Sequence, residues 1–262
     1  MQEILSGRRI LVTGATSGLG RAIALQLAIN EGARVVAVGR RADRLDQLAQ
    51  TITSAGGQID THCLDLNDRN AVATLCTQLK SSGLDDLVLN AGITSANPFV
   101  EGSLVFDQSI IETNITANLQ LIRELIEPLE QDKTGGRILL IASLGGLVPL
   151  PYQAVYAGSK AFIVNFGLSL REELKSHGIC VLVFAPGGVA TEMTAIDAMA
   201  NLQNQLADPD RVAQDAIAMF IKRRSLVVPG WQNKLVALIA RLLPRQVLAS
   251  VAEKIYRNAR AG

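Results

Sequence analysis

The feature that most constrains the fold is an alternation, repeated along nearly the whole chain, of short apolar runs with longer amphipathic stretches. The runs are rich in β-branched residues and have strand length, whereas the amphipathic stretches have helical periodicity. Such alternation forms right-handed strand–helix–strand units and a parallel sheet covered by helices on both faces. The predicted strands are 9–13, 34–38, 58–63, 86–90, 137–142, 180–185 and 226–228. The predicted helices lie near 18–31, 41–55, 69–81, 102–129, 153–177 and 209–222.

The predicted fold is therefore α/β: a Rossmann-like, doubly wound, mainly parallel seven-stranded sheet with helices on both faces. Hydrophobic residues make up 48% and aromatic residues 4% of the 262 residues, which suits aliphatic helices packed on a sheet. No linker-like composition divides the chain, so we expect one domain over 1–230, extended by a basic amphipathic stretch over 231–262. The net charge of +1 gives no electrostatic reason to expect a nucleic-acid partner.

A glycine-rich turn follows the first predicted strand and leads directly into the first predicted helix. Gly14, Gly18 and Gly20 have the spacing G-x-x-x-G-x-G, and Thr16, Ser17 and Leu19 lie between them. Glycine lets the backbone turn sharply and approach a pyrophosphate closely, while the start of a helix offers free N–H groups to an anion. A strand, glycines and a helix in this order predict a dinucleotide site.

A second constellation, Ser143, Tyr156 and Lys160, carries the reactive groups. Tyr156 and Lys160 are four residues apart, so on a helix they share one face. We expect the ammonium to lower the pKa of the phenol, which could then exchange a proton with an alcohol or carbonyl oxygen. The Ser143 hydroxyl could orient the same oxygen. The trio suggests reversible carbonyl–alcohol chemistry beside a nucleotide cofactor.

The end of the second predicted strand bears on the choice of cofactor. An acidic residue in this region typically binds the ribose 2′-hydroxyl of NAD, whereas an arginine accepts the 2′-phosphate of NADP. Here Arg40 and Arg41 follow the strand, and the first acidic residue is Asp43. The sequence therefore favours NADP(H) over NAD(H).

Together these motifs resemble the short-chain dehydrogenase/reductase family, in its simple single-domain branch, over about residues 7–229. Further matches are Asp65 with Leu66, the Asn90-Ala91-Gly92 element, Asn114, the Pro186-Gly187 turn and Thr191. Leu89 stands where the family often has a second asparagine. The resemblance implies that the catalytic residues are Asn114, Ser143, Tyr156 and Lys160. It implies that the cofactor is held by Gly14, Thr16, Ser17, Gly18, Leu19, Gly20, Arg40, Arg41, Asp65, Leu66, Asn90, Ala91, Gly92, Tyr156, Lys160, Pro186, Gly187, Val189 and Thr191.

The family mechanism would transfer a hydride between the nicotinamide and the carbonyl carbon of the substrate. Tyr156 would donate the proton, Ser143 would bind the oxygen, Lys160 would hold the nicotinamide ribose, and Asn114 would hold a water of a proton relay. Alternatives are a catalytically silent nucleotide sensor or scaffold, an NAD-dependent alcohol dehydrogenase working oxidatively, and a sugar-nucleotide epimerase or dehydratase. The last has a different glycine spacing and a longer C-terminal domain.

The substrate is less constrained. The apolar stretch 147–152 lies beside Ser143, and Met193 and Met199 belong to a segment, 192–208, that could form an adaptable lid. We therefore expect a hydrophobic ketone or aldehyde, such as an acyl, steroid-like or lipid-derived compound. Three isolated cysteines and two scattered histidines predict reduced thiols, no metal site and a cytoplasmic protein. The resemblance implies a homodimer or homotetramer formed through the long helices 102–129 and 153–177.

The stretch 231–262 permits three interpretations. Its apolar residues recur at helical spacing up to Pro244, and it contains six basic residues and one acidic residue. It could cover the mouth of the substrate site, pack against another subunit or rest on an anionic membrane surface. Packing against protein is favoured, because a short amphipathic helix usually buries its apolar face there.

Overall fold

The computed structural model describes residues 4–131, 135–195 and 206–261. The strands are β1 Arg9–Thr13, β2 Arg34–Gly39, β3 Gln58–Cys63, β4 Asp86–Leu89, β5 Arg137–Ile141, β6 Cys180–Phe184 and β7 Leu226–Val227. The helices are α1 Gly18–Ile29, α2 Ala42–Ser54, α3 Arg69–Ser82, α4 Leu104–Ile111, α5 Ala117–Gln131, α6 Ala154–Leu174, α7 Pro209–Ile221, α8 Trp231–Leu242 and α9 Arg245–Ala261. Within these residues the seven strands form one sheet in the order β3-β2-β1-β4-β5-β6-β7, and every pair is parallel. The predicted fold class is confirmed.

Two helical layers cover the sheet, and alternate strand residues supply their two cores. Val12 faces α1, α2 and α7 in one core, whereas Leu11 faces α3, α5 and α6 in the other. Both side chains are fully buried. Central strands buried on both faces explain the near-continuous apolar runs of the sequence.

The strand order reverses between β1 and β4, which are neighbours in the sheet. Loops leaving the carboxyl ends of such strands diverge to opposite faces of the sheet and open a crevice that binds ligands. The glycine turn after β1 and Asn90 after β4 both lie at this edge. Ser143 and Pro186 follow β5 and β6 at the same edge. The fold thus gathers most of the predicted site residues at one side of the sheet.

The predicted single helix over 102–129 is wrong in detail. The structure has α4, a π-helical turn Glu112–Thr116 and α5 instead. A π turn spaces its hydrogen bonds more widely than an α-helix and often occurs at functional sites. Asn114 lies in this turn. The prediction missed it because hydrophobic periodicity does not register one wide turn within a continuous helical stretch.

The amino edge of the sheet is tied by buried charges. The Asp86 carboxylate, at the start of β4, accepts hydrogen bonds of 2.6 and 2.8 Å from the guanidinium of Arg8. Arg137, at the start of β5, lies 3.5 Å from the same carboxylate. Burial raises the pKa of Asp86, and the hydrogen bonds from Arg8 oppose this rise. The three residues hold the amino ends of the central strands together.

Two helices, α8 and α9, form the C-terminal extension and meet at Pro244, where the sequence predicts an interruption. Neither helix has a fully buried residue among those whose side chains are described. In the described part of the chain, we find no helix both long and apolar enough to cross a bilayer.

Candidate active site

The glycine turn is pressed against two other loops of the carboxyl edge. Gly14 has a φ of 68°, and a Cβ there would lie 2.9 Å from the backbone of Ala91. Gly18 has a φ of 51°, and a Cβ there would lie 2.7 Å from the Thr191 side chain. Only glycine combines this backbone conformation with such close approach. The turn and the first N–H groups of α1 thereby fit a pyrophosphate, which needs both close backbone approach and unpaired donors.

Asn90 fixes the two loops on either side of the crevice. Its side-chain amide donates to the Thr13 carbonyl over 3.1 Å. The backbone N–H groups of Asn90 and Ala91 donate to the Thr13 hydroxyl at 3.0 and 3.1 Å. Asn90 therefore leaves the strand predicted over 86–90 to bond with β1, and β4 ends at Leu89. The Asn-Ala-Gly element braces the glycine turn.

Ser143 and Tyr156 are brought into contact by the end of β5 and the first turn of α6. The Ser143 hydroxyl hydrogen-bonds the Tyr156 phenol. It also accepts the backbone N–H of Gly145 at 3.0 Å, which fixes its position. A hydroxyl and a phenol that share a hydrogen bond can both reach one substrate oxygen.

Lys160 is buried behind Tyr156 and faces the strand. Its ammonium donates to the Ile141 carbonyl at 2.8 Å and lies 5.9 Å from the centroid of the Tyr156 ring. Desolvation lowers the pKa of Lys160 to about 8. One helical turn thus carries a buried ammonium and a phenol on the same side.

The pKa of Tyr156 moves against expectation. Burial raises it, the hydrogen bond from Ser143 opposes the rise, and the nearby phenol of Tyr256 adds to it. Lys160 is not among these causes, although its ammonium lies 5.9 Å from the centroid of the ring. The expected lowering of the Tyr156 pKa by Lys160 is therefore wrong for this arrangement.

Asn114 is fully buried, and the π turn directs its amide at the loop after β4. The amide oxygen accepts the Ile93 N–H at 2.9 Å, and the amide nitrogen donates to the Ser159 hydroxyl at 2.9 Å. A Cβ at Gly92 would lie 3.2 Å from this oxygen and 3.3 Å from the Lys160 ammonium. Asn114 and Lys160 therefore adjoin the same glycine. The backbone carbonyl of Asn114 accepts a hydrogen bond of 2.8 Å from the Asn118 side-chain amide. This bond uses one of the two lone pairs of the carbonyl oxygen.

The two arginines that follow β2 differ in their surroundings. Arg40 is exposed, whereas Arg41 donates to Glu192 at 2.7 Å and to the Thr16 hydroxyl at 3.3 Å. Arg44, which the sequence analysis missed, lies 3.7 Å from Glu192. The hydrogen bond from Arg41 lowers the pKa of Glu192. Two guanidinium groups here already hold one anionic group across the glycine turn. Their signal in the sequence is the i, i+3 spacing of Arg41 and Arg44.

The remaining predicted cofactor residues surround the same crevice. Asp65 is exposed after β3, and its carboxylate accepts the Asn67 N–H at 3.0 Å, while the neighbouring Leu66 is buried. The Pro186 carbonyl accepts the Leu144 N–H at 2.7 Å, which links the loops after β5 and β6. A cavity of about 500 Å³ lies between the start of α1 and the segment beyond β6. Its lining includes Gly18, Arg21, Thr191 and Glu192.

The loop that precedes α6 is contacted by α9. The Tyr152 hydroxyl donates to Glu253 at 3.1 Å, and the rings of Tyr152 and Tyr256 are 6.5 Å apart. Tyr152 has a φ of 67°, a left-handed conformation that is costly for a bulky residue. One face of α9 therefore packs against the loop that leads into α6. Of the two methionines proposed for a lid, Met193 is partly exposed and Met199 lies outside the described residues.

Gln153 is a further polar group of the site that the sequence analysis missed. It is only 2% exposed, and within the described residues its side-chain nitrogen has no hydrogen-bond acceptor. It immediately precedes α6 and lies three residues before Tyr156. A buried amide nitrogen without an acceptor costs about 1–3 kcal/mol. Such a group in a folded protein needs an explanation, such as a ligand or an ordered water that accepts its hydrogen bond. The spacing of Gln153 from Tyr156 was the available signal.

The strand order, the glycine turn and the Ser143–Tyr156 pair define a dinucleotide-binding oxidoreductase of the α/β class. Comparison with known proteins extends this to a family. The model of the short chain dehydrogenase family matches residues 8–200. The chain therefore belongs to the short-chain dehydrogenase/reductase family, and it is an oxidoreductase.

Among curated relatives, the ketoacyl reductase HetN of Nostoc sp. is 32% identical over 259 residues, which is 97% of this chain and 89% of that protein. Nodulation protein G of Rhizobium sp. is 37% identical over 192 residues, covering 72% of this chain and 76% of that protein.

Solved structures agree with the fold. A short-chain dehydrogenase from Sphingobium yanoikuyae in complex with NADPH has a TM-score of 0.81 at 26% identity, covering 89% of this chain and 93% of that chain. A metagenomic short-chain oxidoreductase in complex with NADP has a TM-score of 0.73 at 29% identity, covering 86% of this chain and 97% of that chain.

Proposed function

We propose that this protein is an NADP(H)-dependent carbonyl reductase that interconverts a carbonyl group and a secondary alcohol on a hydrophobic, 3-oxoacyl-like substrate. The observation that carries the proposal is the hydrogen-bonded pair of Ser143 and Tyr156, placed beside the glycine turn at the carboxyl edge of the sheet. The family membership supplies the reaction class.

The reactive residues divide the work on one substrate oxygen. In the reductive direction Tyr156 donates its phenolic proton to that oxygen. A phenol is protonated at neutral pH at its ordinary pKa of about 10, and burial raises the pKa of Tyr156 further. The Ser143 hydroxyl stabilises the charge that develops there. Lys160 and Asn114 lie behind this pair. Lys160 would hold the nicotinamide ribose, and Asn114 would hold a water of the proton relay. A bound nicotinamide supplies or accepts the hydride.

The preference for NADP(H) rests on the cluster of Arg41 and Arg44. These guanidinium groups hold the Glu192 carboxylate, and the same planar donors suit a 2′-phosphate. Arg40, which is exposed, adds a third cation at this point. NADP or NADPH bound to two relatives supports the same choice.

The substrate class follows from what surrounds the reactive pair. The 147–152 stretch and the helix α9 present mostly apolar side chains and the Tyr256 ring. Gln153 adds one buried donor three residues from Tyr156. A substrate with a second carbonyl oxygen near the reacting one would satisfy that donor, and 3-oxoacyl compounds have this pattern. A relative named as a ketoacyl reductase supports the class.

Assembly as a homodimer or homotetramer is part of the proposal. Leu119 on α5 and Phe162 on α6 are both 37% exposed, and Phe162 stacks on Phe166 with ring centroids 5.5 Å apart. Exposed apolar side chains on two long neighbouring helices fit a subunit contact.

The test is a screen of NADPH oxidation with a panel of apolar ketones, aldehydes and 3-oxoacyl thioesters, run in parallel with NADH. We expect turnover with NADPH to be highest on 3-oxoacyl compounds and to disappear in Tyr156→Phe. Turnover that survives this substitution would contradict the assigned chemistry. A uniform preference for NADH would contradict the role of the arginine cluster.

A further inference from the structure

The orientation of α8 is the reverse of what its sequence pattern leads one to expect. Its half-buried side, toward the body of the protein, consists of the small or polar residues Asn233, Ala237 and Ala240. On the opposite side lie large apolar residues that are between 39% and 75% exposed. They are Trp231, Leu235, Leu238, Ile239 and Leu242. A helix of a soluble protein normally turns such residues inward.

Contacts at the start of α8 fix this orientation. The Asn233 amide donates to the Pro229 carbonyl at 2.8 Å. A Cβ at Gly187 would lie 2.6 Å from the Asn233 side-chain oxygen, so the asparagine packs tightly on the Pro186–Gly187 turn. The polar face is thus anchored at the crevice, and the apolar face must point away from it.

The helix α9 is divided in the same way. Its half-buried side includes Glu253 and Tyr256, which contact Tyr152 in the loop that leads into α6. Its outer side mixes apolar and basic residues that are all exposed, namely Val247, Val251, Lys254 and Ile255. The Arg257 guanidinium lies 3.7 Å from the Glu253 carboxylate. Val251 and Ile255 are each 54% exposed.

Charge is concentrated in the same region. Residues 231–262 contain six basic residues and one acidic residue, although the whole chain has a net charge of only +1. The single acid, Glu253, is on the inner side and accepts the Tyr152 hydroxyl. The outer side of the extension therefore combines large apolar groups with cations, while the rest of the chain is net negative.

We propose that the outer side of α8 and α9 lies on the surface of an anionic phospholipid bilayer. The leucines and Trp231 would enter the boundary between headgroups and acyl chains, and the lysines and arginines would contact lipid phosphates. Long basic side chains can reach the phosphates while their stems remain among apolar groups.

A second copy of the chain fits this surface less well. A twofold contact between equal faces would bring two strongly basic surfaces together, and like charges oppose association. Exposed apolar residues on α5 and α6 offer a separate subunit contact without that excess of positive charge. The location also suits a lipid substrate, since α9 packs against the loop that leads into α6 and α8 is anchored at the Pro186–Gly187 turn.

The experiment is flotation of the full chain with vesicles of phosphatidylcholine alone and of phosphatidylcholine mixed with phosphatidylglycerol. We expect binding to the mixed vesicles that weakens as salt is added, and little binding to the neutral ones. The variant L235S/L238S/L242S should bind the mixed vesicles at least about tenfold more weakly. The control variant Ile29→Ser, which removes a 40% exposed apolar residue outside the extension, should bind like the parent chain.

A second variant, K234E/R241E, keeps the apolar face and should lose the preference for anionic vesicles. This protects the test if the triple serine variant does not fold, which circular dichroism would show. Absence of vesicle binding by the parent chain would overturn the proposal. The proposal would also be overturned if the triple variant dissociated from an oligomer while its vesicle binding stayed unchanged. The outer side of α8 would then be a subunit contact. The oligomer is measured by analytical ultracentrifugation, and none of these readouts depends on turnover.

Discussion

The two edges of the sheet handle buried polar groups in different ways. At the amino edge, one carboxylate lies between two guanidinium groups, and each charge faces an opposite charge inside the protein. At the carboxyl edge, Lys160 has a single backbone acceptor and no acidic partner among the described residues, and the Gln153 nitrogen has no acceptor within them. The Tyr156 phenol shares one hydrogen bond with Ser143.

The difference shows which edge serves stability and which serves chemistry. The oppositely charged groups at the amino edge hold β1, β4 and β5 in place. Partly satisfied groups at the carboxyl edge cost stability, and proteins retain such groups mainly where they bind or react with something else. Substitutions at the two edges should therefore act on different measured quantities.

The largest expected effect is on turnover, in Tyr156→Phe. Removing the proton donor should lower kcat by about a thousandfold or more, since a positioned general acid contributes roughly 10²–10⁴. The free energy of unfolding should change by less than about 1 kcal/mol, because Ser143 keeps its bond to Gly145. Single-turnover kinetics and urea unfolding measure the two quantities. A large loss of stability with the activity retained would show that Tyr156 serves stability and not chemistry, against the assignment of the two edges.

Asp86→Asn should have the opposite profile. It leaves the buried guanidinium groups of Arg8 and Arg137 without a counter-charge, which should destabilise the fold by about 3 kcal/mol or more. The kcat of the fraction that remains folded should be close to that of the parent chain. Chemical denaturation and activity at low temperature test this, with the exposed Asp60→Asn as control. An unchanged midpoint would show that the pairing contributes little.

Lys160→Met should stabilise the protein at pH 7 by about 2 kcal/mol while abolishing turnover. The lysine has a pKa of about 8 in the folded state, against 10.5 as its ordinary value. Below pH 8 Lys160 is protonated in both the folded and the unfolded chain, so the full free-energy cost of burying its charge is present. Between about 8 and 10.5 the unfolded chain binds more protons, so the stability of the parent chain rises with pH.

The advantage of the Met variant should therefore shrink as the pH rises from 8 toward 10.5. Denaturant unfolding of both proteins across this range measures the difference, in which the titration of other groups cancels. A Met variant less stable than the parent at pH 7 would mean that burial of the lysine is not costly.

Arg41→Ala should weaken NADPH binding about tenfold more than NADH binding, which corresponds to about 1.4 kcal/mol. Arg40→Ala is the matched control and should have a smaller effect, because Arg40 is exposed whereas Arg41 contacts Glu192 and Thr16. Fluorescence titration with both cofactors measures the affinities. A larger effect at Arg40 would contradict the role assigned to Arg41.

The smallest expected effect on stability is in Gln153→Leu. It removes a buried donor that is unpaired within the described residues, so the free energy of unfolding should be unchanged or rise by about 1 kcal/mol. KM for a 3-oxoacyl substrate should rise severalfold, whereas KM for a simple ketone should not. A decrease in stability with KM unchanged would assign Gln153 to packing.

The sequence predicted those parts of the fold that depend on local patterns. Each of the seven strands was predicted within two residues of its observed ends. The central strands were predictable because they are continuous apolar runs, whereas the edge strand β3 has no buried residue. The glycine turn was predicted from order and spacing. The π turn was not, since it alters the hydrogen-bond spacing without altering the periodicity.

The sequence predicted which residues lie at the site better than it predicted how their charges interact. Ser143 and Tyr156 meet, but the effect of Lys160 on the phenol depends on where its ammonium points, which spacing along a helix does not determine. Arg41, Glu192 and Thr16 come together from three separate loops. Contacts of Tyr152 with α9 join residues about a hundred positions apart. Only the folded chain shows such pairings.

The π turn has a consequence for how this site could be lost or changed. Successive residues of a helix are rotated by about 100°, so the wide turn sets the angular phase between α4 and α5. Deleting one residue within 112–116 would allow an unbroken α-helix and would swing the Asn114 amide away from Ile93 and Ser159. Every side chain that makes the site would still be present. The position of the Asn114 amide depends on the number of residues in the turn 112–116. A sequence alignment that allows a gap in this turn would therefore not reveal that the amide has been displaced.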